Sequence, residues 1–279
     1  MSLTNESVVV ITGAASGIGR ALAIRLAREP IAGIALSDVN QTQLAETARL
    51  IDKPKLRVTT HVVDVADEEQ MRLFVEAVVE RHERATHVVN NAGVALGGTF
   101  QQVSLDDVRW LMSINFWGVV YGTKLFLPVL EKQKLAHIVN VSSVFGLVAP
   151  PGQAAYAASK YAVRGFTEAL RHELENTNIL VSIVHPGGVK TNIANNSKIG
   201  AGVNLTEAER LEKIEKFNKR LAATTPERAA EIIVRGIKSR KSRIVIGSDA
   251  RLLSFFARLF PRRYYSAINF ISRGKLKND

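Results

Sequence analysis

The sequence predicts an α/β protein: a single domain on a doubly wound parallel sheet of about seven strands, with helices on both faces and a basic amphipathic extension at the C-terminus. Short β-branched runs alternate with amphipathic runs from residue 7 to residue 248, the pattern of strand–helix–strand units. A glycine-rich turn, "TGAASGIGR" (12–20), stands between the first strand and the first helix. Hydrophobic residues make up 46% of 279, enough for a core on both sides of a sheet and too many for a disordered chain.

The elements read in order. "SVVVIT" (7–12) is a strand and 17–29 a helix. "IALSD" (34–38) precedes a helix over 41–51, and "RVTTHVVDV" (57–65) a helix over 67–82. "HVVNN" (87–91) is followed by one long helix from about 105 to 130. "HIVNVSS" (137–143) leads to the helix that carries "YAASK" (156–160). "LVSIVHPG" (180–187) and "RIVIGS" (243–248) complete the strands. The more polar stretch 188–225, helical near 206–221, reads as an insertion over the carboxyl edge of the sheet.

The net charge of +11 is concentrated. Residues 235–279 hold 12 Lys/Arg against 2 Asp/Glu, a net of +10, which leaves 11 − 10 = +1 on residues 1–234. A nearly neutral body argues against a nucleic-acid coat. The absence of cysteine excludes disulfides, thiolate metal sites and cysteine nucleophiles, and fits a reducing cytoplasm. No export signal is visible at the N-terminus, and no run of about 18 apolar residues could span a membrane.

In the glycine turn, Gly13, Gly17 and Gly19 allow a tight bend and close approach of a pyrophosphate to backbone N–H groups at a helix N-terminus; Ser16 and Ile18 lie between them. Asp38 ends the second strand, 19 residues after Gly19. A carboxylate there can accept from both adenosine ribose hydroxyls and would repel a 2′-phosphate, which favours NAD over NADP. Asp64 and Val65, and then Asn91, Ala92 and Gly93, close the third and fourth strands, where ligands gather in open α/β sheets. Asn90 reads as a bridge between strands. Ser143 closes the fifth strand, 13 residues before Tyr156. A serine nucleophile would need an activating histidine held by an acid. Of the six histidines only His185 lies near this strand end, and it has no evident acid partner. No His/Asp/Glu spacing suggests a catalytic metal.

Tyr156 and Lys160 share a helix face. A free phenol has a pKa near 10, and a nearby cation lowers it toward the range of general acid–base chemistry. An ordinary helix-face contact is the plainer reading of this pair taken alone.

"TGAASGIG", "NNAG", Asn115, Ser143, "YAASK" and "HPGGVKT" stand in the order and spacing of the short-chain dehydrogenase/reductase family, and the chain resembles its compact branch over roughly residues 5 to 248. The resemblance implies a Rossmann-type catalytic domain over 1–248, with 188–225 on the substrate side and 249–279 as an extension. It implies hydride transfer with NAD, Tyr156 as general acid/base, Ser143 holding the substrate oxygen, and Lys160 also binding the nicotinamide ribose. It further implies Asn115 holding a water in a proton relay, Pro186, Gly187, Val189 and Thr191 seating the nicotinamide amide, and a homodimer or homotetramer through the long helices 105–130 and 154–176.

By analogy the substrate side is lined by Val94, Leu96, Phe145, Leu147, Val148 and Val189 beside Ser143, which favours a lipophilic alcohol or carbonyl compound. In the tail, Leu252, Leu253, Phe255, Phe256, Leu259 and Phe260 form an apolar stripe flanked by Arg251, Arg258, Arg262 and Arg263. Such a helix suits peripheral contact with a membrane surface through 249–277, or packing on the body or another subunit. The competing functions are a small diol or acetoin-type dehydrogenase and a catalytically idle NAD-binding sensor with a membrane-binding tail.

Overall fold

The computed structural model describes residues 3–204 and 223–265, with isolated positions between them. The strands are β1 (Val8–Thr12), β2 (Gly33–Asp38), β3 (Arg57–Val62), β4 (His87–Asn90), the short β5 (Leu96–Gly97), β6 (Ala136–Val141), β7 (Ile179–Pro186), the short β8 (Lys198–Ile199) and β9 (Arg243–Ile246). The helices are α1 (Gly17–Leu26), α2 (Gln41–Arg49), α3 (Glu68–His82), α4 (Leu105–Met112), α5 (Gly118–Glu131), α6 (Ala154–Glu173), α7 (Pro226–Lys238) and α8 (Ser248–Leu259).

Seven strands form one parallel sheet in the order β3-β2-β1-β4-β6-β7-β9. The order reverses between β1 and β4, and the carboxyl ends at such a reversal are where open α/β sheets bind ligands. Successive side chains on a strand point to opposite faces, so β1 feeds two cores. Val9 and Ile11 join Leu22, Ile34 and Ile233 on one face, while Val10 joins Val88, Phe74, Phe126 and Ile138 on the other. This two-sided burial explains why the central strands read as unbroken apolar runs.

The long helix expected from 105 to 130 is interrupted. Ser113–Trp117 forms a π-helical turn between α4 and α5, with Asn115 inside it. Ser113 Oγ donates to the carbonyl of Trp110 at 2.9 Å, competing with the regular ladder, and Asn115 is held from outside the helix. The third strand stops at Val62, short of the expected 65, because the chain turns there: the Asp64 N–H is taken by the Gln70 side chain at 3.0 Å. The helical piece expected near 206–221 lies largely outside the described residues.

The tail stripe is divided between two faces. Ala250, Leu253, Ala257 and Tyr264 pack against Val144, Phe145, Val148 and Val245, whereas Leu252, Phe255, Leu259 and Phe260 stay exposed. A spacing of three and four residues puts 250, 253 and 257 on one side of α8 and 252, 255 and 259 on another. The part of the expected amphipathic segment from 266 to 277 lies outside the described residues. Among the described residues no helix is long and apolar enough to cross a membrane.

Candidate active site

The β1–α1 turn is shaped by contacts that only glycine permits. Gly13 has φ +65° and sits so close to the next strand exit that a Cβ would lie 2.7 Å from Ala92 Cα. A Cβ at Gly19 would strike the carbonyl of Gly13. Thr12 Oγ1 accepts from the N–H groups of Asn91 and Ala92, both at 3.1 Å, and Asn91 Nδ2 donates to the carbonyls of Thr12 and Gly13 at 3.0 Å. The glycine turn and the "NNAG" turn are thus one hydrogen-bonded unit.

The N-terminus of α1 differs from its neighbours. Helices α2, α3 and α4 are capped by the side chains of Asn40, Asp67 and Ser104. Ser16 makes no capping bond, and the first turn of α1 carries no acid. A first turn of uncapped N–H groups above a glycine cradle fits a pyrophosphate. Asp38 closes this end. Its carboxylate accepts from Ala15 N–H and Asn40 N–H, each at 3.0 Å, which fixes it at the mouth of the turn. Thr191 packs over Gly17, with Ile18 against the first core behind it. Asp64 accepts from Ala66 N–H at 2.9 Å, and Val65 is buried against Gly118. The residues present therefore fit a dinucleotide.

Asn90 crosses the sheet, donating to Asn140 Oδ1 at 2.8 Å and Thr123 Oγ1 at 3.1 Å. Asn115 ties the π turn to the fourth strand exit: Oδ1 accepts from Val94 N–H at 2.8 Å, and Nδ2 donates to Val94 O at 3.0 Å and to Ser159 Oγ at 3.1 Å. Ser159 in turn donates to the carbonyl of Tyr156 at 2.7 Å.

Ser143, Tyr156 and Lys160 converge on one buried spot. Ser143 Oγ accepts from Phe145 N–H at 3.1 Å and shares a hydrogen bond with the Tyr156 phenol. Burial raises the Tyr156 pKa, and the bond to Ser143 opposes that rise. Lys160 Nζ donates to Val141 O at 3.3 Å and lies 5.8 Å from the centre of the Tyr156 ring. Burial pulls its ammonium down to about 8. Desolvation of the phenol, and not the Lys160 charge expected to lower it, sets the direction of its shift. His185 Nδ1 donates to the main-chain carbonyl of Ser143 at 2.9 Å, not to the hydroxyl. Burial holds its pKa at about 4. A neutral imidazole facing a carbonyl cannot serve as the base of a serine nucleophile.

The apolar lining is assembled in part as expected. Val94, Leu96 and Phe145 meet Tyr156, and Phe145 lies edge-on to the phenol at 6.0 Å. Leu147 is buried nearby in sequence, Val148 packs under α8, and Val189 joins the core around α1. Sequence reasoning missed Val103, Val108, Trp110, Leu111 and Ala155, which complete the same cluster. The apolar spacing of 108 and 111 was the available signal, absorbed there into an ordinary amphipathic helix. It also missed the pairing of β5 with β8 and the Lys198–Asp107 ion pair at 2.7 Å, which fasten the 188–204 segment over this side.

The fold and this constellation define a dinucleotide-dependent oxidoreductase, and comparison with known proteins supplies the family. The model of the short chain dehydrogenases matches residues 7–201, and the chain belongs to that family. SadH of Mycobacterium tuberculosis, which its name describes as an oxidoreductase, is 43% identical over 266 residues, 95% of this chain and 94% of that protein. The 3-oxoacyl-[acyl-carrier-protein] reductase FabG of Thermotoga maritima is 33% identical over 88% of this chain and 97% of its own length. A short-chain dehydrogenase/reductase from Burkholderia phymatum, solved in complex with NAD, superposes with a TM-score of 0.81 at 30% identity over 93% of this chain and 96% of that one.

Proposed function

We propose that this oxidoreductase prefers NAD and moves hydride between the nicotinamide and a lipophilic primary or secondary alcohol or the matching carbonyl compound, with Tyr156 as general acid/base. The observation that carries the reading is the buried convergence of Ser143, Tyr156 and Lys160 against an apolar wall of Val94, Leu96 and Phe145. NAD, bound along the glycine turn and the strand exits, supplies the hydride acceptor or donor.

Tyr156 gives or takes the hydroxyl proton, and Ser143 directs its own proton at the substrate oxygen. Lys160 holds positive charge behind the phenol, and Asn115 fixes the wall opposite through Val94 and Ser159. Asp38 favours a free 2′-hydroxyl over a 2′-phosphate by charge repulsion. The exposed apolar face of α8, rimmed by Arg251, Arg258, Arg262 and Arg263, supports peripheral contact with an anionic membrane surface, a fitting source of lipophilic substrate. Exposed Trp117 and Tyr161, beside α5 and on α6, support self-association through those helices.

The test is initial rate with NAD and with NADP against alcohols of increasing chain length, with Tyr156→Phe as the blank. Rates with NAD that climb with chain length, and a silent variant that still binds NADH, are expected. Activity confined to short diols overturns the substrate class, preference for NADP overturns the role of Asp38, and a variant with substantial turnover overturns the role of Tyr156.

A further inference from the structure

Residues 186–190 leave β7 at the carboxyl edge of the sheet, and the structure restrains them from three sides. Gly187 N–H donates to Ile246 O at 2.9 Å, the last rung between β7 and β9. Gly188 and Lys190 pair with the backbone of Thr224, at 3.1 Å and 2.9 Å. The third restraint alone comes from a side chain: Gly188 N–H donates to Asp249 Oδ2 at 2.7 Å, the short distance of a charge-assisted bond.

The Asp249 carboxylate sits in a cradle built for it. A Cβ at Gly187 would run into both of its oxygens, and a Cβ at Gly247 into one. Gly247 also has φ +96°, which side-chain-bearing residues avoid. Two glycines on different strand exits thus clear space for one carboxylate. That carboxylate lies in the first turn of α8, where the helix dipole favours negative charge. The same helix packs Ala250 and Leu253 under Val144 and Val148, just after Ser143, and Tyr264 Oη accepts from Ala149 N–H at 3.2 Å. One helix therefore braces both the 186–190 turn and the segment that follows Ser143. Asp249 lies outside the residues matched to the family, 7–201.

We propose that Asp249 is a positioning residue of the cofactor site: its carboxylate locks the Gly187–Gly188 turn so that the segment from Pro186 to Thr191 presents a fixed surface to the nicotinamide. The proposal rests on the reading of that segment as the nicotinamide side of the site. Asp249 does not touch the reacting atoms and moves no proton. Its effect is preorganisation, since a turn that is already ordered loses less freedom when the dinucleotide binds.

The experiment compares Asp249→Ala, Asp249→Asn and Gly187→Ala by NADH fluorescence titration and by hydrogen exchange at Gly188. Asp249→Ala removes a charge-assisted bond and is expected to weaken NADH binding about tenfold and to speed exchange at Gly188. Asp249→Asn keeps an acceptor oxygen of the same reach and is expected to restore binding to within about twofold, which a purely charge-based role would not allow. Gly187→Ala drives a methyl into the carboxylate, and adding Asp249→Ala to it should recover part of the loss, the reverse of additivity. NADH binding by Asp249→Ala within about twofold of the parent, with Gly187→Ala impaired, overturns the role of Asp249 and leaves the segment in its place beside the nicotinamide. Unchanged binding in both variants overturns that placement, and the proposal with it. An Asp249→Asn as weak as the alanine variant overturns the hydrogen-bond lock.

Discussion

Lys160 Nζ lies 5.8 Å from the centre of the Tyr156 ring, and both side chains are almost wholly buried. The ammonium donates to the carbonyl of Val141, so its charge is held near the phenol without being neutralised by a carboxylate. A cation kept this way favours negative charge on the phenol over the neutral form, and burying it is costly to the fold.

That cost is measurable. Burial lowers Lys160 from 10.5 to about 8, while the unfolded chain keeps the ordinary value. The difference corresponds to about 3 kcal/mol against the folded state while both states are protonated, below pH 8. Between pH 8 and 10.5 the unfolded chain binds the extra proton, so this penalty fades as pH rises. Lys160→Met is expected to abolish turnover yet stabilise the protein by up to about 3 kcal/mol at pH 7, with the gain shrinking toward pH 10. Urea midpoints at the two pH values check it, and a variant less stable than the parent at both would refute the buried-cation argument.

Acid should act through histidines. Burial first, then neighbouring charges, lowers His82 to about 4 and His137 to about 3, and burial holds His185 at about 4. These groups fold neutral, and the unfolded chain protonates them near pH 6.5. Their stabilisation is complete above pH 6.5 and is lost as pH falls through the window down to about 4. The slope reaches up to about 4 kcal/mol per pH unit when all three contribute. Denaturation midpoints from pH 7 to 4 test it, and His137→Asn should flatten the curve. A level midpoint down to pH 4.5 would contradict the three depressed values.

The outer face of α8 gives a third prediction. The protein should float with vesicles of phosphatidylcholine and phosphatidylserine, less so as salt rises, and not with phosphatidylcholine alone. Changing Arg258 and Arg262 to Gln removes about 2 kcal/mol of attraction, a loss of about thirtyfold in partitioning. Leu253, on the inner face, is not part of this contact. Equal binding to neutral and anionic vesicles counts against the arginine rim, and a dimer that dissociates on Phe255→Ser assigns the face to a second copy of the chain.

The parallel sheet and its exits were legible in the sequence because both signals are local. A strand buried on two faces must be apolar throughout, as in Val8–Thr12, and a turn that lies under another turn must be glycine, as at Gly13 and Gly19. Residue spacing likewise marked Ser143, Tyr156 and Lys160 before their convergence was visible. What spacing could not supply was direction. The helix through Asn115 widens into a π turn because Asn115 is held by Val94 and Ser159, partners 21 and 44 residues away. The tail stripe divides between α8's inner and outer faces only because Val144 and Val148 offer a surface for Ala250 and Leu253. Asp249 reads as a helix-start acid until Gly187 and Gly247 are brought around its carboxylate. The sign of the shift at Tyr156 followed the same rule: proximity to Lys160 can be read along one helix, but desolvation depends on every element packed around the phenol, and only the tertiary structure decides that.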